Sequence, residues 1–234
     1  MATAPTLIYC GGGNERFARI AVDAGFEYGA RLPDTVYLPL HFADQDWKTP
    51  DRVAYMAALE KHKPHMATVL DWEREDQRDE VLDWAEEAAQ HVEIVIIIPK
   101  VPGTIERLPR QVGGASVRLG YSVPTRYGGT FVPAWEFQGR PVHLLGGSPH
   151  GQMRLAHYLD MRSTDGNMAM LMATRYCQFW VPGTARQAKN KWWPTIREAN
   201  RGIPVVGEDL IYDAFARSCR NIIAAWRRLW QAGY

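Results

Sequence analysis

The segment REDQRDEVLDWAEEAAQHVEIVIIIPKVPG, residues 74–103, decides the fold. Its first part predicts a helix over 74–92. Acids gather toward the start, and Leu82, Ala85, Ala89 and Val92 recur on one face. Its second part, EIVIIIPK (93–100), is short, β-branched and bounded by proline and glycine. A strand that is apolar on both faces is buried on both faces, which is how strands of a parallel sheet covered by helices read.

The same alternation runs along the rest of the chain. Strands are expected at TLIYC (6–10), VYLPLHF (36–42), ATVLD (67–71), SVRLGYSV (116–123) and PVHLLGG (141–147), with a weaker one at RSTD (162–165). Helices are expected over 14–25, 49–62, 150–160, 167–176 and 208–231. Seven or eight such units in 234 residues predict a compact (β/α)8 TIM-barrel-like α/β domain spanning 1–234. A doubly wound open sheet is the runner-up, and its dinucleotide form is disfavoured because no Gly-x-Gly-x-x-Gly turn opens the first helix.

Composition excludes several classes. Apolar residues make up 46% and charged residues 23%, ordinary values for a globular domain. No apolar run is long enough for a membrane span, and the first residues lack the basic start of a secretory signal. The three cysteines, Cys10, Cys177 and Cys219, are scattered and suit neither a disulfide framework nor a zinc-binding insertion. A cytoplasmic setting is expected. There is no His-Glu-x-x-His and no Gly-x-Ser-x-Gly, so neither a zinc peptidase nor a serine acyl hydrolase is indicated. Residues 175–234 hold ten Lys and Arg against four Asp and Glu, a hint of a surface facing a polyanion or simply of solvated helix faces.

Catalytic side chains of a barrel gather where its strands end. Asp44 (FADQDW), Asp71 (VLDWERE), Lys100 (IIIPKVPG) and Asp165 (STDGN) fall at or just beyond such ends. Carboxylates attack anomeric carbons in glycosyl transfer, so Asp165 on its tight turn reads as a nucleophile or as plain turn chemistry. Asp44 reads as a proton shuttle or a cap, and Asp46 as a surface or supporting acid. Asp71 reads as an acceptor for the N–H edge of a base, with Trp72 stacking on its face, or as a helix cap. Lys100 reads as a phosphate or rim lysine. GGGNERF (11–17) reads as a backbone cradle or as a turn with Asn14 capping a helix. Two long connections remain: 124–140, rich in glycine and aromatics, and the basic, Trp-rich 177–204. In the latter, Lys189, Lys191, Trp192, Trp193 and Arg197 suit an opened nucleic-acid strand or packing under a loop.

In order along the chain these motifs resemble the tRNA-guanine transglycosylase superfamily, especially its small relatives that act in deazaguanine modification of DNA in bacteria and phages. VHLLGGSPHGQ (142–152) is similar to that family's strand ending in Gly-Val-Gly-Thr-Pro, and the following helix with STD resembles the stretch that delivers its nucleophile. FAD (42–44) is similar to the segment bearing its general acid/base, VLDWE (69–73) to the segment that reads the base, and LGYSVPT (119–125) to the loop lining the base pocket. Gln45-Asp46-Trp47 stands where the family has Gly-Gly-Phe, and Pro99-Lys100 where it has a glutamine. The family's zinc ligands are absent.

The resemblance implies a cofactor-free pentosyltransferase that exchanges guanine in a nucleic acid, DNA ahead of tRNA, for a 7-deazaguanine. It implies Asp165 as nucleophile, Asp44 as general acid/base and Asp71 on the base edge. Backbone from Gly120, Tyr121, Gly146 and Gly147 would line the base. An N-glycosidase and a non-catalytic nucleic-acid- or protein-binding barrel remain the alternatives.

Overall fold

The computed structural model of the protein describes residues 4–125, 128–183, 193–200, 207 and 209–233. Eight parallel strands close into a barrel. They are β1 (Thr6–Cys10), β2 (Glu27–Arg31), β3 (Phe42–Asp44), β4 (Met66–Thr68), β5 (Ile94–Ile97), β7 (Ala115–Ser122), β8 (Val142–Leu145) and β9 (Met161–Gly166). Closure comes from β1 pairing with β9 and β5 with β7. A short β6 (Gln111–Val112) folds back antiparallel on β7 outside the ring.

Helices cover the ring unevenly. They are α1 (Glu15–Ala24), α2 (Arg52–His62), α3 (Arg78–Ala88), α4 (Pro149–Ala156), α5 (Met168–Tyr176), α6 (Ile196–Ala199) and α7 (Asp209–Gln231). The β2–β3 connection has no helix, and among the described residues β5–β7 and β7–β8 carry only single 3₁₀ turns at Ile105–Arg107 and Ala134–Phe137. The longest helix, α7, packs on α1 and α5 beside the β1–β9 joint. Tyr9 and Phe17 each lie 5.2 Å from Phe215 in that layer. Among the described residues no helix is long and apolar enough to cross a membrane.

Local chemistry explains most boundaries. Asn14, Asp51 and Ser148 accept hydrogen bonds from the first turns of α1, α2 and α4, and Pro149 opens α4 where its missing N–H costs nothing. The GGGNERF segment is therefore a turn and cap: Tyr9 donates its hydroxyl proton to the Gly12 carbonyl, and Asn14 closes the helix end.

Two expectations are corrected, and one strand was not foreseen. The run 36–42 is mostly loop, with only Phe42 in a strand, while EYGAR (27–31) forms β2. That strand was illegible because its inward positions are Glu27, Gly29 and Arg31, so no apolar run announces it. The helix expected over 74–92 is a 3₁₀ turn at Glu75–Gln77 followed by α3, whose buried face is Val81, Trp84, Ala85 and Ala88.

The barrel interior holds its own apolar cluster of Ile8, Phe42, Met66, Ile96 and Ile98, with Cys10, Ile94 and Leu145 against it. Gly120 belongs to this filling. A Cβ there would stand 2.5 Å from Ile98 Cγ1 and 2.8 Å from Leu145 Cδ1. We expect Gly120→Ala to cost about 1–3 kcal/mol through overpacking. Urea denaturation read beside the parent checks this; an unchanged midpoint would contradict the packing.

Candidate active site

Asp44, Asp71, Lys100 and Asp165 all stand at the strand C-terminal end of the barrel. Asp44 ends β3, facing inward like Phe42 two residues before it. Thr68, at the end of β4, donates its hydroxyl proton to Asp44 Oδ1 at 2.9 Å and accepts from the Gln45 N–H. Burial first, and then the Asp165 carboxylate, raises Asp44 to about 7. That coupling sets the two acids in one electrostatic environment.

Asp165 lies on β9, opposite Ile8 of β1. Its Oδ1 accepts from the Gly146 N–H at 3.2 Å and faces His143 Nε2 at 3.2 Å. Gly146 and Gly147 follow β8 with φ of 64° and 81°, a region that glycine enters without strain. The turn aims the Gly146 N–H at the carboxylate, and Gly147 packs so tightly that a Cβ would sit 2.6 Å from Val123 Cγ1. Gln152 on α4 donates to the carbonyls of both Gly146 and Asp165 at 2.7 Å, tying the turn to β9.

Asp71 and Lys100 meet because β4 and β5 continue past their ends. The Trp72 N–H donates to Ile98 O, and the Lys100 N–H donates to Trp72 O. Lys100 Nζ then lies 2.5 Å from Asp71 Oδ2 and 3.0 Å from Glu73 Oε1. Burial raises Asp71 although Lys100 opposes it, while Asp71 and Glu73 hold Lys100 above its ordinary value against burial. Asp71 caps no helix.

Several assigned roles are corrected. Trp72 is fully buried, and its indole donates to Arg74 O at 2.7 Å, so its ring presents no face to a ligand. An exposed aromatic beside Lys100 is Trp47, 57% exposed, with Lys100 Nζ 5.6 Å from its ring centre. Lys100 is an ion-pair partner, not a free rim cation. Tyr121 points into the helix layer, edge-on to Phe137 at 5.0 Å. Gly120 and Tyr121 have backbone inside β7, in register with His143 and Leu144 of β8. Asp46 caps the Lys48 and Thr49 side of its loop and faces Arg31. Lys189, Lys191 and Trp192 lie outside the described residues. Trp193 is buried, and Arg197 is exposed on α6.

The sequence reading missed Trp47, Thr68, His143, Ser163 and Arg118. His143 and Arg118 share one signal, a polar residue at an inward strand position between apolar neighbours; Ser163, between Arg162 and Thr164, carries none.

Cys10 sits among the carboxylates, and burial, then Asp165 and Asp44, pushes its thiol well above the ordinary value. A protonated thiol is a poor nucleophile. Among the described residues no three His, Cys, Asp or Glu side chains are placed to hold a metal. A wider cleft of about 560 Å3, lined by Glu27, His41, His65 and Glu93, lies at the opposite end of the barrel. That end ordinarily serves stability, so the carboxylate mouth is the better candidate.

The model of a family of unknown function, DUF6610, matches residues 21–227, and the chain belongs to that family. Comparison with curated proteins finds no match.

Asp44 makes stability depend on pH. Its folded value of about 7 lies above the unfolded one, so the unfolded state binds fewer protons between the two. Its contribution therefore falls as pH rises from the unfolded value and levels off above about 7. Asparagine keeps an acceptor for Thr68 and carries no charge. Asp44→Asn should be more stable than the parent at pH 8, by up to about 4 kcal/mol, with the gap closing toward pH 4. Thermal melts of both proteins across that range check it, and a constant gap would contradict the buried-acid assignment.

Proposed function

We propose that this DUF6610 family member is a base-exchange pentosyltransferase that replaces guanine in a nucleic acid, DNA ahead of tRNA, with a 7-deazaguanine. The observation that carries the reading is the pair of unlike carboxylates at one mouth. Asp165 Oδ1 takes N–H donors, while Asp44 is held near 7 and so exchanges a proton at neutral pH. The order of motifs resembling the tRNA-guanine transglycosylases supports the same chemistry.

In this reading the target nucleotide leaves its stack, at a cost of a few kcal/mol. Asp165 attacks C1′, and the bond from C1′ to the base breaks with its electron pair leaving on guanine. Protonated Asp44 gives its proton to that base, so neutral guanine departs. The incoming deazaguanine returns a ring N–H proton to Asp44 and attacks C1′, and the Asp165–C1′ bond breaks. The carboxylate is regenerated, and Asp44 is again protonated. The ester splits one hard displacement into two.

Trp47 offers the stacking face. The adjoining Lys100 ammonium and Asp71 carboxylate present a donor beside an acceptor, which matches the carbonyl and adjacent N–H on the edge of a guanine-like base. Phosphate contacts fall to the basic segment that includes the exposed Arg197.

Asp165→Asn should abolish incorporation of labelled deazaguanine while leaving oligonucleotide binding intact. Asp44→Asn should slow incorporation by about 10²–10⁴-fold. A covalent protein–oligonucleotide adduct should be trapped by denaturing the parent in mid-reaction and should be absent from Asp165→Asn. Release of guanine by the parent without incorporation of any base would favour the hydrolytic N-glycosidase, and incorporation that survives Asp165→Asn would sink the mechanism.

A further inference from the structure

A hydrogen-bonded string climbs the inside of the barrel to Asp165. Arg118 on β7 donates from Nη1 to Ser163 Oγ at 2.6 Å. Ser163 Oγ lies 2.6 Å from His143 Nδ1, and His143 Nε2 lies 3.2 Å from Asp165 Oδ1. His143 is fully buried, and its ring stacks on Phe42 at a centroid distance of 5.0 Å and an interplanar angle of 28°. A register shift between β8 and β9 pairs Val142 with Met161 but His143 with Ser163, skipping Arg162. Such a bulge re-aims side chains. Here it sets His143 and Ser163 against each other inside the barrel.

The donors and acceptors fix the tautomer. An ionised carboxylate only accepts, so the proton between His143 and Asp165 sits on Nε2. A neutral ring then leaves Nδ1 as acceptor for the Ser163 hydroxyl proton, and a Ser163 lone pair accepts from Arg118. Burial, with Arg118 adding a smaller effect, lowers His143 despite Asp165, so a second ring proton is disfavoured. Both donors to the Asp165 carboxylate, the Gly146 N–H and the His143 Nε2–H, converge on Oδ1, and Oδ2 has no hydrogen bond among the described residues.

We propose that His143 is the positioning residue of this site: its Nε2–H, with the Gly146 N–H, occupies Oδ1 of Asp165 and leaves Oδ2 as the attacking atom. The proposal rests on the base-exchange reading for Asp165 as nucleophile. Ser163 and Arg118 hold His143 in the tautomer that donates. The attacking oxygen keeps its full lone-pair density, while the bound one fixes the carboxylate plane, so orientation is set before the substrate arrives.

The test combines a spectroscopic and a kinetic arm. Nitrogen-15 NMR of the parent should show His143 neutral with its proton on Nε2 from pH 6 to 8. His143→Phe keeps a ring against Phe42 and removes both nitrogens. It should lower kcat for incorporation by about 10–100-fold with KM for the oligonucleotide nearly unchanged. His143→Gln, which restores a side-chain N–H, should recover most of that loss, and Ser163→Ala should lose less than His143→Phe. If His143→Phe does not fold, as judged by circular dichroism, Ser163→Ala and the NMR assignment decide. A proton found on Nδ1 alone, or an imidazolium at neutral pH, overturns the inference. So does a folded His143→Phe protein with kcat within twofold of the parent. Incorporation that survives Asp165→Asn overturns the base-exchange reading instead, and with it the attacking role of Oδ2, whatever tautomer is seen.

Discussion

The pairing of β1 with β9 is the joint on which the rest of the molecule depends. A parallel sheet presents unpaired backbone at both edges, and closing it on itself removes them. The residues joined here, Thr6–Tyr9 and Ser163–Gly166, lie far apart in the chain. The register that closes the ring also sets Asp165 opposite Ile8 at the mouth. The aromatic layer of Tyr9, Phe17 and Phe215 covers this joint, so the helices carrying those rings hold the candidate nucleophile in place indirectly.

Burial acts in opposite directions on neighbouring groups inside this ring. It raises Asp44 and Cys10 and lowers His143, each toward its neutral form. A barrel filled with isoleucine, phenylalanine and methionine therefore does electrostatic work on the few polar groups it admits. At Lys100 and Asp71 burial is opposed by a partner: Lys100 works against the rise of Asp71, and Asp71 with Glu73 holds Lys100 above its ordinary value.

The barrel was legible because most strands read as apolar runs and most helices opened on a cap. TLIYC corresponds residue for residue to β1, and Asn14 stands where α1 begins. What failed to show was anything whose inward side chains are polar or small. β2 hid behind Glu27, Gly29 and Arg31. His143 and Ser163 hid inside runs that read as ordinary strand, because a sequence does not say where a bulge will shift register. Trp72 was misread for a related reason. Adjacency to Asp71 suggests a shared ligand, yet strand alternation turns consecutive side chains to opposite faces. Trp47, whose ring does lie beside Lys100, follows Asp44 in a loop, where alternation no longer applies.

The uneven helical cover gives the molecule a stiff side and a compliant side. On the flank of β1 and β9, α1, α5 and α7 stack in a second layer. On the opposite flank, β5, β7 and β8 are joined by loops with single 3₁₀ turns. Backbone hydrogen bonds under thin cover open more readily than those under packed helices. A ligand entering between the two flanks would thus meet a fixed wall bearing Asp165 and a yielding wall facing it. Accommodation of differently sized rings would be taken up by the yielding wall, and because His143 on β8 and Gly146 just after it touch Asp165, that movement would be felt at Oδ1 of the carboxylate.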